Sequence, residues 1–230
     1  MNFLNKCINF AQNILPGGCR LCGMPGRDAI CHYCETRLPV MTAACCARCA
    51  LPLPAGEVCG HCLQHAPVID SVTARFAYQE PLRSVLIGFK HQQRWPDARV
   101  LADLMLQVPP PQTQGLLLVP VPLHPLRVKA RGYNQSAELC RRLGRQLSLT
   151  VDPYGLQRIL PTPPQQQLDR TARLRNLKQA FVADRERVIG RDILLIDDVM
   201  TTGATLDAAA TALKSAGATS VHGWVVARAL

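Results

Sequence analysis

Aromatic side chains are scarce in this chain of 230 residues: two Trp, four Tyr and five Phe make up 5% of it. That scarcity counts against a surface that holds single strands by stacking alone, because such surfaces rely on aromatic platforms. Long apolar runs are also missing. The stretch LLLVPV near residue 116 is far too short to cross a bilayer, so no membrane insertion is expected. The six histidines are scattered and none stands in a nucleophile motif, which leaves hydrolase and nuclease readings without residues. Acids are few, 16 against 26 Lys and Arg, and no metal-binding acid cluster is visible apart from one adjacent aspartate pair. Beyond residue 62 cysteine nearly vanishes, with Cys140 alone.

The first 62 residues hold 10 of the 11 cysteines, and eight of these form four C-x-x-C pairs: Cys19/Cys22, Cys31/Cys34, Cys46/Cys49 and Cys59/Cys62. Each pair presents two thiolates on one turn, and two turns close a tetrahedral four-cysteine site of the structural zinc type. Two zinc ions are therefore expected. Sequential pairing gives Cys19, Cys22, Cys31, Cys34 and Cys46, Cys49, Cys59, Cys62; a crossed pairing and an iron–sulfur occupant stay open at this level. The amino-terminal MNFLNKCINFAQNIL spaces Phe3, Leu4, Ile8, Ala11 and Leu15 as an amphipathic helix, with Asn and Gln interrupting any signal-peptide run. A reducing, cytoplasmic compartment follows as the expectation, and with it metal in preference to disulfides. Ribbons of about 50 residues bury too little to fold without that metal.

The net charge is +10, and its distribution says more than its size. Residues 120–178 carry 11 Lys and Arg against 3 acids, while the rest of the chain is almost balanced. A basic stretch of this kind implies an anionic partner such as phosphate, pyrophosphate or nucleic acid, with a solvated basic face as the plainer alternative.

From residue 70 the pattern alternates strand and helix: SVTARFAY (71–78), EPLRSVLIGFKHQ (80–92), WPDARVLADLMLQ (95–107), LLLVPVP (116–122), NQSAELCRRLGRQL (134–147), AFVA and SVHGWVVARA. This implies an α/β fold with a parallel-rich sheet. LHPLRVKARGY reads as a loop, and residues 156–178 as a mobile one. Within ILLIDDVMTTGATL, an apolar run that reads as a strand over 193–198 ends in Asp197 and Asp198. A turn of Thr201, Thr202, Gly203, Ala204 and Thr205 then opens a helix over 203–216. Backbone amides and hydroxyls at such a helix N-terminus hold a phosphate monoester, and adjacent carboxylates accept hydrogen bonds from a vicinal diol. A ribose 5-phosphate group satisfies both halves; a plain N-capped helix is the structural alternative.

This stretch resembles the phosphoribosyl pyrophosphate signature of type I phosphoribosyltransferases. The whole chain, through its knuckles, YQEPLRSVLIGFKH, VPVPLHPLRVKARGYNQ, PTPPQQQLDRTARLRN and the signature, resembles the competence protein F family. The resemblance implies an amino-terminal helix and double zinc ribbon over residues 1–66 and a Rossmann-like, type I phosphoribosyltransferase-like domain over 67–230. It implies that Asp197 and Asp198 bind ribose hydroxyls, that Thr201 to Thr205 hold the 5-phosphate, and that Val121 to His124 form the pyrophosphate loop. Arg127, Lys129 and Arg131 would neutralise pyrophosphate or DNA phosphate, and Arg173 and Arg175 would close over it. Magnesium would arrive with phosphoribosyl pyrophosphate. The activity implied is transfer to an unidentified acceptor, in the uptake or utilisation of DNA, with DNA-uptake proteins as partners. A non-catalytic single-stranded DNA-binding protein is the alternative. Lys90 is open between a site residue and a helix lysine that reaches for solvent.

Overall fold

The computed structural model of the chain describes residues 18–41, 44–92, 94, 96–110, 115–160 and 179–230. The expected amino-terminal helix, Cys7, the segment 161–178, Arg173 and Arg175 lie outside these residues. Strands β1 (Ser71–Ala77), β2 (Leu117–Pro120), β3 (Leu156–Arg158), β4 (Phe181–Ala183), β5 (Asp192–Met200) and β6 (Ser220–Arg228) alternate with helices. The helices are α1 (His32–Glu35), α2 (Gly60–Gln64), α3 (Leu82–His91), α4 (Asp97–Leu106), α5 (Pro125–Arg131), α6 (Gln135–Leu147), α7 (Arg185–Val188) and α8 (Ala204–Ser215).

The main sheet runs β1-β6-β5-β2 with every neighbouring pair parallel. Parallel strands need crossovers, and these place apolar helices on both faces. The alternation along β5 shows the result. Leu194 and Ile196 pack with α3, α4 and α6 through Leu86, Leu101 and Leu139, and with Trp224 of β6. Ile193 and Leu195 pack with α8 through Leu206, Ala209 and Leu213. The second cysteine cluster joins that latter core with Cys46, Cys49 and Cys62, so the ribbon is part of the fold rather than an appendage.

Three segments differ from the sequence expectation. LHPLRVKARGY is not a loop: Pro125 opens α5, His124 Nδ1 accepts from Leu126 N at 3.3 Å, and Gly132 closes the helix at φ +88°. Proline at the first position and left-handed glycine past the end are start and stop signals, but seven residues carry too little apolar periodicity to reveal a helix. Residues 156–158 are strand, not loop, and pair antiparallel with 181–183, so AFVA stands outside the main sheet. Finally, β5 runs past Asp198, where the expected strand over 193–198 ends, as far as Met200, because β6 pairs along its length as far as Arg228.

Helix α6 approaches the segment after it at Gly144, where an added Cβ would lie 2.3 Å from Val151 Cγ2 and 3.1 Å from Leu149 O. Gly144→Ala is expected to lower stability by about 1–3 kcal/mol through overpacking. Gly60→Ala, where an added Cβ has open space, should leave the urea midpoint unchanged or slightly raised.

Candidate functional site

The two cysteine clusters form sequentially: Cys19, Cys22, Cys31 and Cys34 in one, Cys46, Cys49, Cys59 and Cys62 in the other, with the four sulfurs of each within 4.8 Å of one another. Cys22 Sγ to Cys31 Sγ and Cys49 Sγ to Cys59 Sγ are both 3.7 Å. Tetrahedral zinc–sulfur bonds of about 2.3 Å place sulfurs roughly 3.8 Å apart, so the donor set fits zinc. The knuckles repeat one design. Cys31 N donates to Cys19 Sγ at 3.4 Å and Cys59 N to Cys46 Sγ at 3.3 Å. The residue after each first C-x-x-C is left-handed, Gly23 at φ +73° and Ala50 at φ +56°. Burial, then neighbouring thiols, push Cys34 up to about 12 and raise Cys62 as well, whereas at Cys19 and Cys46 burial is outweighed by backbone amide hydrogen bonds that lower them to about 6 and about 7; a dication would favour the ionised form of all four thiols in each cluster.

The aspartate pair stands at the carboxyl end of β5. Asp197 Oδ1 accepts from Ser136 Oγ at 2.8 Å and from Asp198 N at 2.9 Å. Asp198 is buried, its Oδ1 accepting from Val199 N at 2.7 Å and from Lys90 Nζ at 2.9 Å. Its Oδ2 is buried without a partner, an acceptor left open at the strand end. Burial, followed by the charge of Asp198, pushes the Asp197 carboxyl up to about 7, with Lys90 and Ser136 acting in the opposite direction.

Thr201 and Thr202 are exposed, and Gly203 turns the chain at φ +83° into α8. A Cβ on Gly203 would lie 2.5 Å from Met200 Cε, so the turn requires glycine on both counts. Among the described residues, the amides of Thr201, Thr202 and Gly203 donate to no protein acceptor. Three open amides at a helix start make an anion-binding concavity. Thr202 Oγ1 accepts weakly from Ala204 N at 3.4 Å, and Thr205 lies half-buried in the first turn of α8.

Beside the acids lies a cleft of about 250 Å³ lined by Lys90, His91, Arg127, Ala130 and Arg131. Its walls interlock: Arg131 Nη1 donates to Gln135 Oε1 at 2.7 Å, Gln135 Nε2 to Lys90 O at 3.4 Å, and Tyr133 OH to Phe89 O. Asn134 Nδ2 donates to Val121 O at 3.1 Å, which ties the start of α6 to the chain leaving β2. Val121 to His124 thus run from β2 into α5 at the same edge as the aspartates, with Val121 N donating to Ile196 O at 3.0 Å. The i, i+4 spacing puts Arg127 and Arg131 on the cleft face of α5, and Lys129 points elsewhere. Sequence reasoning missed Ser136, Gln135 and Arg158. Arg158 lies within electrostatic reach of Arg127 and Asp197, and only the β3–β4 pairing, invisible as periodicity, brings it there.

Residues 10–63 match a family model described as "Double zinc ribbon domain", and residues 138–230 one described as "Phosphoribosyl transferase domain". The chain is 35% identical to "DNA utilization protein YhgH" of Escherichia coli (strain K12) over 226 residues, covering 94% of this chain and 99% of that one. It is 30% identical to "Competence protein F" of Haemophilus influenzae over 239 residues, covering 100% of both. The chain belongs to the competence protein F family. "Competence protein ComFC" of Bacillus subtilis matches at 29% identity over 215 residues, 87% of this chain and 85% of that one. In this family member Lys90 and α5 lie before the matched transferase region, so the model covers the acids and the turn but not the basic cleft.

Metal analysis should find two zinc ions per chain, and Cys34→Ser should leave one. The aspartate pair gives a second expectation. Between about pH 4 and 7 the native state holds a proton at Asp197 that the unfolded chain has released, so this group lowers stability as pH rises through that window. Asp197→Asn should therefore stabilise the protein by about 1–2 kcal/mol at pH 8 and by less at pH 5, as measured by urea unfolding at the two pH values.

Proposed function

We propose that this chain binds magnesium-complexed phosphoribosyl pyrophosphate at the carboxyl end of β5, in the service of DNA uptake or utilisation. The observation that carries the reading is the placement of three open amides, Thr201 to Gly203, directly after a carboxylate pair with one unpartnered oxygen. The amides, with the hydroxyls of Thr201, Thr202 and Thr205 and the small Ala204, suit a 5-phosphate. Asp197 and Asp198 suit the two ribose hydroxyls, which donate to carboxylates. Lys90, Arg127 and Arg131 supply the charge that a pyrophosphate needs, with Arg173 and Arg175 of segment 161–178 added from outside the described residues. Lys129 is a more distant cation. Magnesium would neutralise diphosphate oxygens; among the described residues only the cysteine clusters group three or more metal-binding side chains, so ligand oxygens and water would hold it.

Transfer is the enzymatic extension of this proposal: a nitrogen nucleophile attacks the anomeric carbon as pyrophosphate leaves, and the chain contributes positioning and charge neutralisation. A second reading, single-stranded DNA binding, is favoured by the exposure of Arg127 and Lys129 on α5 and by relatives named for DNA utilisation and competence. Both readings engage phosphates, and salt separates them, since strand binding falls steeply as salt rises.

Titration calorimetry of phosphoribosyl pyrophosphate with magnesium into zinc-replete protein should give saturable heat that the Asp197→Asn, Asp198→Asn variant loses. Lys90→Gln should weaken binding about tenfold, because one charge-assisted contact to the ligand is removed. Absence of heat in the intact protein, together with steeply salt-dependent single-stranded DNA binding, would overturn the first reading in favour of the second.

A further inference from the structure

Arg228, the last residue of β6, is buried at 5% exposure. Among the described residues its side chain donates only to backbone carbonyls, at Cys49, at Met200 and Thr201, and at its own neighbour Ala229. Nε donates to Cys49 O at 2.9 Å, across 179 positions of sequence. Nη1 donates to Met200 O at 3.3 Å and also to Thr201 O and Ala229 O. One planar guanidinium thus grips a ligand residue of the second zinc cluster and the first residue of the phosphate turn. Its fixed fork transmits geometry as a flexible ammonium does not. Among the described residues no carboxylate forms an ion pair with it; four thiolates around a dication carry net negative charge and stand on its Cys49 side. The first cluster has a different attachment: Arg20 Nε meets Asp97 Oδ1 at 3.2 Å on α4, away from the turn.

We propose that Arg228 is a positioning residue that couples occupancy of the Cys46/Cys49/Cys59/Cys62 zinc site to the shape of the 201–203 turn, so that metal loss at this cluster loosens the phosphate site. The proposal rests on the phosphoribosyl reading of that turn only for its ligand arm; the coupling itself is read without ligand. Because coupling between two sites is reciprocal in binding free energy, a ligand held by the turn must also tighten zinc binding at the second cluster, read as slower loss to a chelator, which a merely structural arginine would not require.

Hydrogen exchange on the full chain gives the ligand-free test. Cys62→Ser, with one zinc lost, should raise exchange about tenfold at the Ala229 and Asp207 amides, which donate to Met200 O and Gly203 O on either side of the turn, while α6 keeps its protection. Cys34→Ser, with the other zinc lost, should leave these two amides unchanged. Arg228→Gln should give the same tenfold rise with both zincs bound, and adding Cys62→Ser should add nothing further. Arg228→Lys, which keeps the charge and loses the fork, should fall between and guards against a glutamine variant that fails to fold. In the ligand arm, phosphoribosyl pyrophosphate with magnesium should slow chelator-driven release of one zinc of the two by several fold, and not in Arg228→Gln. Unchanged exchange at the Ala229 and Asp207 amides in Cys62→Ser, or equal responses to loss of either zinc, would overturn the coupling. If exchange responds but the ligand slows neither zinc, the coupling stands and the phosphoribosyl reading falls.

Discussion

All four strands of the main sheet run the same way, and the rest of the site depends on that constraint. Parallel pairing brings the carboxyl ends of β1, β2, β5 and β6 to one edge, and each chain end must leave through a turn there. The aspartates, the threonine turn, the exit from β2 and Arg228 therefore share an edge although they lie far apart in sequence: Val121 N reaches Ile196 O on one side of β5, and Arg228 Nη1 reaches Met200 O on the other. Helix α3 then delivers Lys90 to the same place from the covering layer, where it meets Asp198 at 2.9 Å.

The edge is also where the chain departs from what stability alone would select. Adjacent carboxylates repel, and burial raises the cost of ionising both. The fold offsets this with Lys90, Ser136 and two local backbone amides, yet leaves one Asp198 oxygen without a partner. A buried acceptor left open, beside amides left open and cations lining a cleft, is strain of the kind that proteins keep at binding sites. Elsewhere the core is conventional: Ile193 to Ile196 are fully buried and divide cleanly between two helical layers.

Much of this was legible in the sequence because it rests on short-range chemistry. Cysteine spacing revealed both clusters, four adjacent aliphatics revealed β5, and glycine after threonines revealed the turn into α8. What escaped depends on contacts across long stretches of sequence. Sequential pairing of the knuckles needed the folded ribbons. Ser136 is one of many helix-terminal serines until α6 docks beneath β5 and turns it toward Asp197. Arg158 had no pattern to mark it, since a three-residue strand gains its identity from its partner at 181–183. Helix α5 was hidden for a different reason: its signals are a proline and a glycine, which also mark turns.

The ribbons have one more consequence, at the other side of the sheet. β1 is an outer strand, and its backbone is met by the metal-binding region: Met41 N donates to Arg75 O at 3.0 Å, Ala77 N to Pro39 O at 2.8 Å and Val72 N to Ala47 O at 2.9 Å. Val40 and Phe76 form an antiparallel bridge in the same place. An uncovered outer strand is a template on which other chains can pair. The ribbon segments occupy that template, so the shape of the metal-binding region decides whether β1 offers an open edge to a second chain.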